Sequence, residues 1–427
     1  MKKELRNKII FTIITLIVVQ FLYNIPSFGI NKDAVSAFLN TETGSTLSFF
    51  AMFSGNAFYQ MSMFVLGITP YISASIILQL LRVGFTSLDE MAKNGKNGEK
   101  RFKRMNYELA IILAIPQTIA IVAGFANYGL LTENTLKCKI LVGGLIILGS
   151  GILMLIGYIL DKKGIGQGIS LILFLNIISR VPSDAMSIYE RFLENGTAMD
   201  YFKVISIAVV IIFISLVLVT YLQDGEKRLK TQYASINKIS KGEEGTTFIP
   251  IKVNLANVMP IIFASSIFQC YILLITLLKV DDSSVFMTIA KAINSGNWFN
   301  NTNWWYTIGY LVYVAFIFLF ALFYNDVTFD TEKITKNLND NGGVIIGVRP
   351  GQETMDHLNM HLRKTTIIGS LGLIIVATIP IILSGTLKMA TLSLGGTSII
   401  IIANVICDTY RAIKCEKLEE SKSTFLF

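Results

Sequence analysis

The stretch that decides the fold is Gly67–Leu81, which reads GITPYISASIILQLL and contains no charged residue. Apolar runs of this kind, about 20 residues long when they span a bilayer as a helix, recur from Ile9 almost to the C-terminus. Of the 427 residues, 52% are hydrophobic and only 15% are charged, which is typical of a membrane protein. No stretch between the runs is long or apolar enough to build a core of its own, so we predict one membrane domain over residues 1–427.

Ten membrane-spanning helices follow from the apolar runs and the polar breaks between them. The predicted fold class is therefore an all-α polytopic membrane protein. In the fifth span, Arg180 and Pro182 interrupt the second half. The first span follows a basic N-terminus and imitates a signal peptide, but no small-x-small cleavage site follows it. The spans are placed near residues 9–29, 61–81, 106–126, 140–160, 168–188, 204–222, 255–278, 306–325, 367–383 and 392–410.

Orientation follows from the basic residues in the connections. Most of the 37 Lys and Arg residues precede the first span or follow an even-numbered span. Because basic loops stay in the cytoplasm, both termini are expected there. The net charge of +8 is then explained by topology and by anionic lipid headgroups, and it requires no nucleic acid.

Three cytoplasmic connections, Val83–Met105, Gln223–Asn254 and Asp326–Thr366, are too long to be simple turns, and we expect a cytosolic partner to bind there. The first ends in the basic run Lys100–Arg104. This run is either a topology signal or a docking site for an acidic partner or for lipid, and both readings are compatible.

The segment Thr46–Gln60 lies on the predicted outer side and is apolar, but it is too short to span the membrane. One interpretation is a re-entrant helix, because irregular backbone at membrane depth survives only inside protein or beside water. The alternative is an interfacial helix on the outer leaflet.

Ionisable residues are absent from the middle of every predicted span. Ion-coupled transporters and membrane-embedded hydrolases need groups that change charge at depth, so both classes are disfavoured. No phosphate-binding glycine loop or catalytic triad pattern is present, and we predict no enzyme activity. The four cysteines are scattered, and His357 and His361 lack a third ligand and are interpreted as a solvated loop pair. No metal or cofactor is predicted.

Small and polar residues, in contrast, do occur within the spans. They allow close helix approach and hydrogen bonds of about 1 kcal/mol or less, so they indicate either ordinary packing or an interface weak enough to open. Pro70, Pro116 and Pro260 also fall within spans and are expected to kink or break helices. The small and polar residues are Ser73, Ser75, Gln79, Gln117, Ser265, Ser266 and Gln269.

Five motifs in order along the chain resemble the SecY family, the large subunit of the bacterial Sec translocase. Each motif alone is weak, but the order of all five on a ten-helix chain makes the resemblance specific. The motifs are Gly67–Leu81, KGIGQGISL at 163–171, PIKVN at 250–254 leading to MPIIFASS at 259–266, GVRPG at 347–351 and GGTS at 395–398.

The resemblance implies two five-helix halves, residues 1–190 and 191–427, related by a pseudo-two-fold axis. It also implies a channel that passes unfolded secretory proteins across the bacterial inner membrane and inserts membrane proteins into it. A ring of aliphatic side chains would close the waist, because such side chains exclude ions by dewetting and bind a sliding chain weakly. The matching residues are Ile68, Ile72, Ile169, Leu173, Ile262 and Ile401.

Two further parts of the channel are implied by the resemblance. The Thr46–Gln60 segment resembles the plug that fills the outer funnel, with Phe49, Phe50, Phe53 and Phe58 buried there. Spans two and three, facing spans seven and eight, resemble the lateral gate that binds signal sequences and opens to lipid. The gate residues would be Ser73, Gln79, Gln117, Ser265 and Ser266.

The resemblance also implies partners. The loop with Arg349, Pro350 and Gly351 would contact the motor ATPase SecA and the ribosome, with Arg349 as the key donor to carboxylates or phosphates. Other expected partners are SecE-like and SecG-like small subunits, membrane lipids and the translocated proteins, with no nucleic acid beyond the ribosome. The connection between spans six and seven departs from the family, because it reads SKGEEGTT at 240–247 where many members are basic.

Two alternatives stay open at this point. An accessory SecY-like channel for a restricted substrate set would account for the altered loop. A small-solute secondary transporter is compatible with the membrane helices alone, but it needs an ion-coordinating site at mid-depth that the sequence does not show.

Overall fold

The computed structural model describes residues 3–30, 57, 60–93, 95–127, 129–193, 198–233, 246–278, 284–293, 298, 304–386 and 390–424. Most of these residues are helical, and three short strands form one small sheet. The helices are α1 (Lys3–Tyr23), α2 (Thr69–Gly84), α3 (Thr86–Lys93), α4 (Gly95–Asn127), α5 (Leu136–Lys163), α6 (Gly168–Leu193), α7 (Ala198–Asp224), α8 (Met259–Leu278), α9 (Val285–Ile293), α10 (Thr307–Thr328), α11 (Thr331–Asp340), α12 (Gln352–Thr386) and α13 (Ala390–Thr424). The strands are β1 (Glu226–Tyr233), β2 (Thr246–Lys252) and β3 (Gly343–Ile345), and Trp304–Tyr306 forms a 3₁₀ turn.

The predicted all-α membrane fold is confirmed in its main features. Each of the ten predicted spans overlaps one long helix, namely α1, α2, α4, α5, α6, α7, α8, α10, α12 or α13. Among the described residues, five helices are individually long and apolar enough to cross a membrane, and the bent pair α2 and α3 would make a sixth. The helices α6, α7 and α8 contain shorter apolar stretches.

The second span begins later than predicted. Residues 61–68 form turns, and α2 starts at Thr69. Met61 and Gly67 adopt positive φ angles of 45° and 57°, and backbone bonds such as Ser27 N to Met61 O (2.9 Å) satisfy the irregular chain. Such backbone is tolerated here because it is enclosed by protein.

None of the three prolines breaks a helix. Pro116 lies inside the continuous helix α4, and a kink there stays a prediction. Pro70 and Pro260, however, lie in the first turns of α2 and α8, so neither one breaks a helix. Proline is favoured at that position because the backbone N–H of the first turn has no helical acceptor anyway. Pro182 likewise lies within a continuous α6.

The three long connections contain helices and strands in their described parts, in agreement with the prediction that they are too long to be simple turns. Val83–Met105 contains α3 and the first turns of α4, so the basic run Lys100–Arg104 is helical. Asp326–Thr366 contains α11, β3 and the start of α12. His357 and His361 are therefore on a helix, with ring centroids 4.6 Å apart, and the interpretation as a loop pair was wrong.

The small sheet has strand order β2-β1-β3, with β1 antiparallel to both neighbours. Its apolar face packs on the first turns of α12 and forms a separate core, which the sequence analysis excluded. The prediction failed because the core draws on two connections far apart in the chain, Gln223–Asn254 and Asp326–Thr366, each apolar on one face only. The buried residues are Leu229, Ile251, Ile345, Leu358 and Leu362.

The main core lies where helices from the two predicted halves meet. Helix α4 packs on α8, and α6 packs on both α7 and α13. The division into halves at residues 1–190 and 191–427 stays a prediction, but these contacts show that the two segments form one packed body.

Candidate functional site

The six predicted waist residues, which we call the waist ring, come from both predicted halves. Ile68 precedes α2, Ile72 lies on its first turn, and Ile262 lies on the first turn of α8. All six belong to, or pack against, one apolar cluster. Five of the residues are at most 8% exposed, and Ile169 is half-buried. The ring members are Ile68, Ile72, Ile169, Leu173, Ile262 and Ile401.

The glycine-rich motif at 163–171 explains how Ile169 reaches this cluster. A Cβ atom at Gly157 of α5 would lie 2.6 Å from Ile169 Cδ1, and one at Gly168 would lie 2.2 Å from Gly157 O. Only glycine permits this approach, because real Cβ atoms do not come so near to other heavy atoms. Helix α6 is thereby pressed onto α5 at its first turn.

Two side chains that the sequence analysis missed hold the same motif. Asp161 Oδ1 accepts a hydrogen bond from Gly168 N at 2.6 Å, which satisfies a free N–H at the start of α6. Thr12 Oγ1 of α1 accepts from Ile165 N at 3.2 Å. An aspartate seven residues before the start of a helix is only a weak sequence signal for this hydrogen bond. Thr12 lies 153 residues before Ile165, so no local pattern pairs the two residues.

The predicted plug segment lies almost wholly outside the described residues. Phe49, Phe50, Phe53 and Phe58 all belong to the part that is not described. Ala57 is described, is fully buried, and accepts a backbone hydrogen bond from Ser62 N at 2.9 Å. The plug therefore stays a prediction.

The predicted gate residues lie on helices that meet. Gln117 Nε2 of α4 donates to Ser73 Oγ of α2 at 3.1 Å, and Gln79 Nε2 donates to Ser75 Oγ at 3.1 Å. Ser265 of α8 is 3% exposed and Ser266 is half-buried. Helix α4 packs on α8, so Gln117 and the two serines of α8 lie on neighbouring helices.

The amide oxygen of Gln117, Oε1, is buried without a hydrogen-bond partner in the described part of the chain. A buried acceptor without a donor costs about 1–3 kcal/mol. The closed seam between α4 and α8 is consequently held by packing more than by polar bonds.

The loop with Arg349, Pro350 and Gly351 follows β3 and ends at α12. Gly347 and Gly351 have φ angles of +86° and +104°, which side chains rarely adopt, so the loop requires glycine at both ends. Thr354 Oγ1 donates to Arg349 O at 2.8 Å and fixes the backbone. The Arg349 side chain is 86% exposed and lies 4.0 Å from Glu353, a weak contact that leaves the guanidinium accessible.

A further polar contact that the sequence analysis missed joins α13 to the end of α7. Arg411 Nη2 donates to Gln223 O at 2.7 Å and to Asp224 Oδ1 at 2.8 Å. It fixes the point at which the chain leaves the membrane helices for β1.

Within the described ranges, no group of three or more histidine, cysteine, aspartate or glutamate side chains could hold a metal ion. The His357 and His361 pair has no third ligand there. The four cysteines form no disulfide. The prediction of no metal or cofactor concerns the whole chain and stays a prediction.

Comparison with known proteins identifies the family. The SecY family model matches residues 62–410. The chain belongs to the SecY family. The protein translocase subunit SecY of Rickettsia bellii is 32% identical over 422 residues, which cover 96% of this chain and 93% of that protein. SecY of Staphylococcus epidermidis is 30% identical over 432 residues, with coverage of 99% and 97%.

Solved structures of SecY-family channels share the fold. A protein-conducting channel superposes with a TM-score of 0.72 at 18% identity and covers 98% of this chain and 94% of the other. A SecY channel whose plug domain stabilises the closed state gives 0.69 with the same coverage, and Sec61 in the canine ribosome–channel complex gives 0.67. As a member of the SecY family, the chain is a multi-pass membrane protein of protein translocation.

Proposed function

We propose that the chain forms a protein-conducting channel whose resting state is sealed at mid-membrane by the waist ring. The observation that carries this proposal is the convergence of six aliphatic residues from both predicted halves on one buried apolar cluster. No part of the motif spacing required them to meet. The convergence supports a closed constriction formed between the halves.

The chemistry of the ring suits a passive seal. Branched apolar side chains exclude water from a narrow constriction and so hold back ions, and they offer no hydrogen bond or charge to a polypeptide that slides past. The channel would thus adapt to any sequence, provided that the substrate is unfolded. Energy for movement must then come from a partner, since no catalytic group is assigned to this chain.

We further propose that the seam between α4 and α8 is the lateral gate. A gate must be closed without help and must separate when an apolar signal sequence competes for the same surfaces. Packed α4 and α8 fit this requirement, because the hydrogen bonds of Gln117 to Ser73 and of Gln79 to Ser75 do not join α4 to α8 and would survive their separation. Ser265 and Ser266 would form the opposite wall.

The Thr46–Gln60 segment is proposed as the plug that supports the seal from the outer side. The apolar composition of the segment and the plug domain named for one SecY channel of the same fold support this role. Phe49, Phe50, Phe53 and Phe58 would provide the apolar contacts.

The partners are proposed from charge and exposure. Both termini and the small sheet would lie on the cytoplasmic side of a bacterial inner membrane. On that side, the exposed guanidinium of Arg349 would bind SecA or the ribosome. One channel of the same fold is known in a ribosome complex. SecE-like and SecG-like subunits would cover further helix surfaces within the membrane.

An accessory channel with few substrates is the second candidate. The stretch SKGEEGTT at 240–247 carries acidic residues where a basic partner-contact surface is expected. A second, more typical SecY gene in the same cell would favour this reading. The solute-transporter alternative has lost its support, because the chain belongs to the SecY family.

The test is to stall a secretory precursor in membranes that contain this protein, with a photoreactive residue at position 72 or 262. Crosslinks that depend on precursor and ATP are expected at both positions. The matched control is Ile77, which is 37% exposed on the same helix and should not crosslink. With SecA and precursor shown to be competent, a lack of crosslinks at positions 72 and 262 would contradict the proposal.

A further inference from the structure

Helix α9 lies in the connection between α8 and α10, and its exposed side chains are apolar on one side and polar on another. The sequence of α9 is VFMTIAKAI, and Val285, Phe286 and Ile289 are exposed by 74%, 60% and 42%. At 100° per residue, these three side chains share one face of the helix. Thr288 and Lys291 are exposed on another side, and Ala290 is buried against the protein.

Helix α9 is held in place by a hydrogen bond from α8 and by close packing against α10. Tyr271 of α8 donates a hydrogen bond from its hydroxyl to Phe286 O at 3.1 Å. On the side of α10, a Cβ atom at Gly309 would lie 1.8 Å from Ala292 O, so the two helices are in backbone contact. These contacts fix the direction in which the apolar face points.

The two elements that follow α9 and pack on it also expose apolar side chains. The 3₁₀ turn that packs on α9 exposes Trp305 by 61%, and α10 then exposes Ile308 and Leu311 by 45% and 60%. Helix α10 belongs to a segment with the hydropathy of a membrane span, so its exposed side chains face lipid. Tryptophan at the end of a span is typical of the membrane–water interface.

We propose that α9 is an interfacial helix that inserts Val285, Phe286 and Ile289 into the leaflet at the N-terminal end of α10. The occupant is lipid acyl chain, because α9 packs on the 3₁₀ turn and on α10, whose own exposed apolar side chains include Trp305 and Ile308. Lys291 and Thr288 lie toward the headgroups and water, as in other amphipathic interfacial helices. The inference goes beyond the proposed channel function and rests only on the membrane location of α10.

The consequence is a mechanical link between lipid and two helices of the proposed gate region. Helix α9 contacts both α8 and α10, so its insertion restrains the ends of both helices at the same leaflet. Movement of α8 away from α4 would then have to displace α9 within the interface.

The test uses the full chain in lipid nanodiscs, with the four native cysteines replaced by alanine and one nitroxide-labelled cysteine introduced per variant. The variants are Phe286→Cys and Ile289→Cys, with Thr288→Cys as the matched control on the same helix. Collision with oxygen, which concentrates in lipid, is compared with collision with a water-soluble nickel chelate. Each labelled protein must elute as a single species before it is measured.

The ratio of oxygen to nickel collisions should be several-fold higher at positions 286 and 289 than at position 288. A ratio as low at 286 and 289 as at 288 would show that the face is in water and would overturn the proposal. Low collision with both reagents would show that protein covers the face, which would overturn it as well. Neither negative result affects the waist crosslinks, so the two proposals fail separately.

Discussion

The waist ring and the loop with Arg349 differ in exposure and in polarity. In the waist ring, side chains such as Ile68 and Ile401 are at most 2% exposed and carry no polar group. In the loop that follows β3, the Arg349 side chain is 86% exposed, and its Nη1 lies 4.0 Å from Glu353 Oε1. A seal needs surfaces that bind each other and nothing else, whereas a docking loop needs a donor that is free to bind a partner.

The two regions are therefore expected to tolerate different substitutions. The waist ring acts through shape and burial, so the loss of a few carbon atoms should open it. The Arg349 loop acts through one charge on a fixed backbone, so its shape should survive a change that abolishes its binding. The following predictions test this contrast, beginning with the largest expected effect.

Replacing Ile72 and Ile262 by glycine should raise the resting ion conductance of the channel in planar bilayers by about an order of magnitude or more, because hydrophobic gating requires side chains that fill the constriction. The matched control is the pair Ile77→Gly and Ile308→Gly, at exposed positions of α2 and α10. Equal resting currents in the two double variants would mean that the waist lies elsewhere.

Gly149→Ala should lower the free energy of unfolding in detergent by about 1–3 kcal/mol, because the added carbon cannot be packed without displacement. A Cβ atom there would lie 2.3 Å from Met63 O in the irregular segment before α2. Gly151→Ala, with no atom within 4 Å of its Cβ, is the control on the same helix. It should instead be about as stable or up to about 1 kcal/mol more stable. Similar shifts in both variants would contradict the close packing of α5 on this segment.

Arg349→Glu should reduce SecA-driven transport about tenfold, equivalent to about 1.4 kcal/mol, without lowering the thermal stability of the protein. The reason is that an exposed charge adds little to folding but is essential to an electrostatic contact. Lys137→Glu is the control, because Lys137 is also exposed but lies before the fourth predicted span, on the predicted outer side of the membrane. Normal transport by a well-expressed Arg349→Glu variant would refute the assignment, and an equal loss in both variants would indicate a general charge effect.

Ser73→Ala should have the smallest effect, a loss of about 1 kcal/mol or less in unfolding free energy, as for other hydrogen bonds between membrane helices. It removes the acceptor for Gln117 Nε2. Ser170→Ala, which removes a more exposed hydrogen bond to Gln167, serves as control and should be nearly neutral. A loss above about 2 kcal/mol at Ser73 would mean that strong polar bonds hold the proposed gate.

The sequence by itself determined the membrane class, the approximate position of all ten long helices and the SecY family. Apolar runs and ordered motifs are local signals, because in lipid each helix must satisfy its backbone within its own segment. For the same reason, the prediction failed where backbone groups are satisfied by distant partners, as in the turns at 61–68 that precede α2.

Only the tertiary structure decided which residues meet. It placed Ile262 and Ile401 beside residues of the first half, assembled a second core from β1, β2, β3 and α12, and brought Thr12 and Asp161 to the glycine motif. It also oriented α9, whose apolar side chains Val285, Phe286 and Ile289 are exposed. These arrangements depend on contacts between segments up to several hundred residues apart, and the hydrophobic effect that favours burial does not specify the partner.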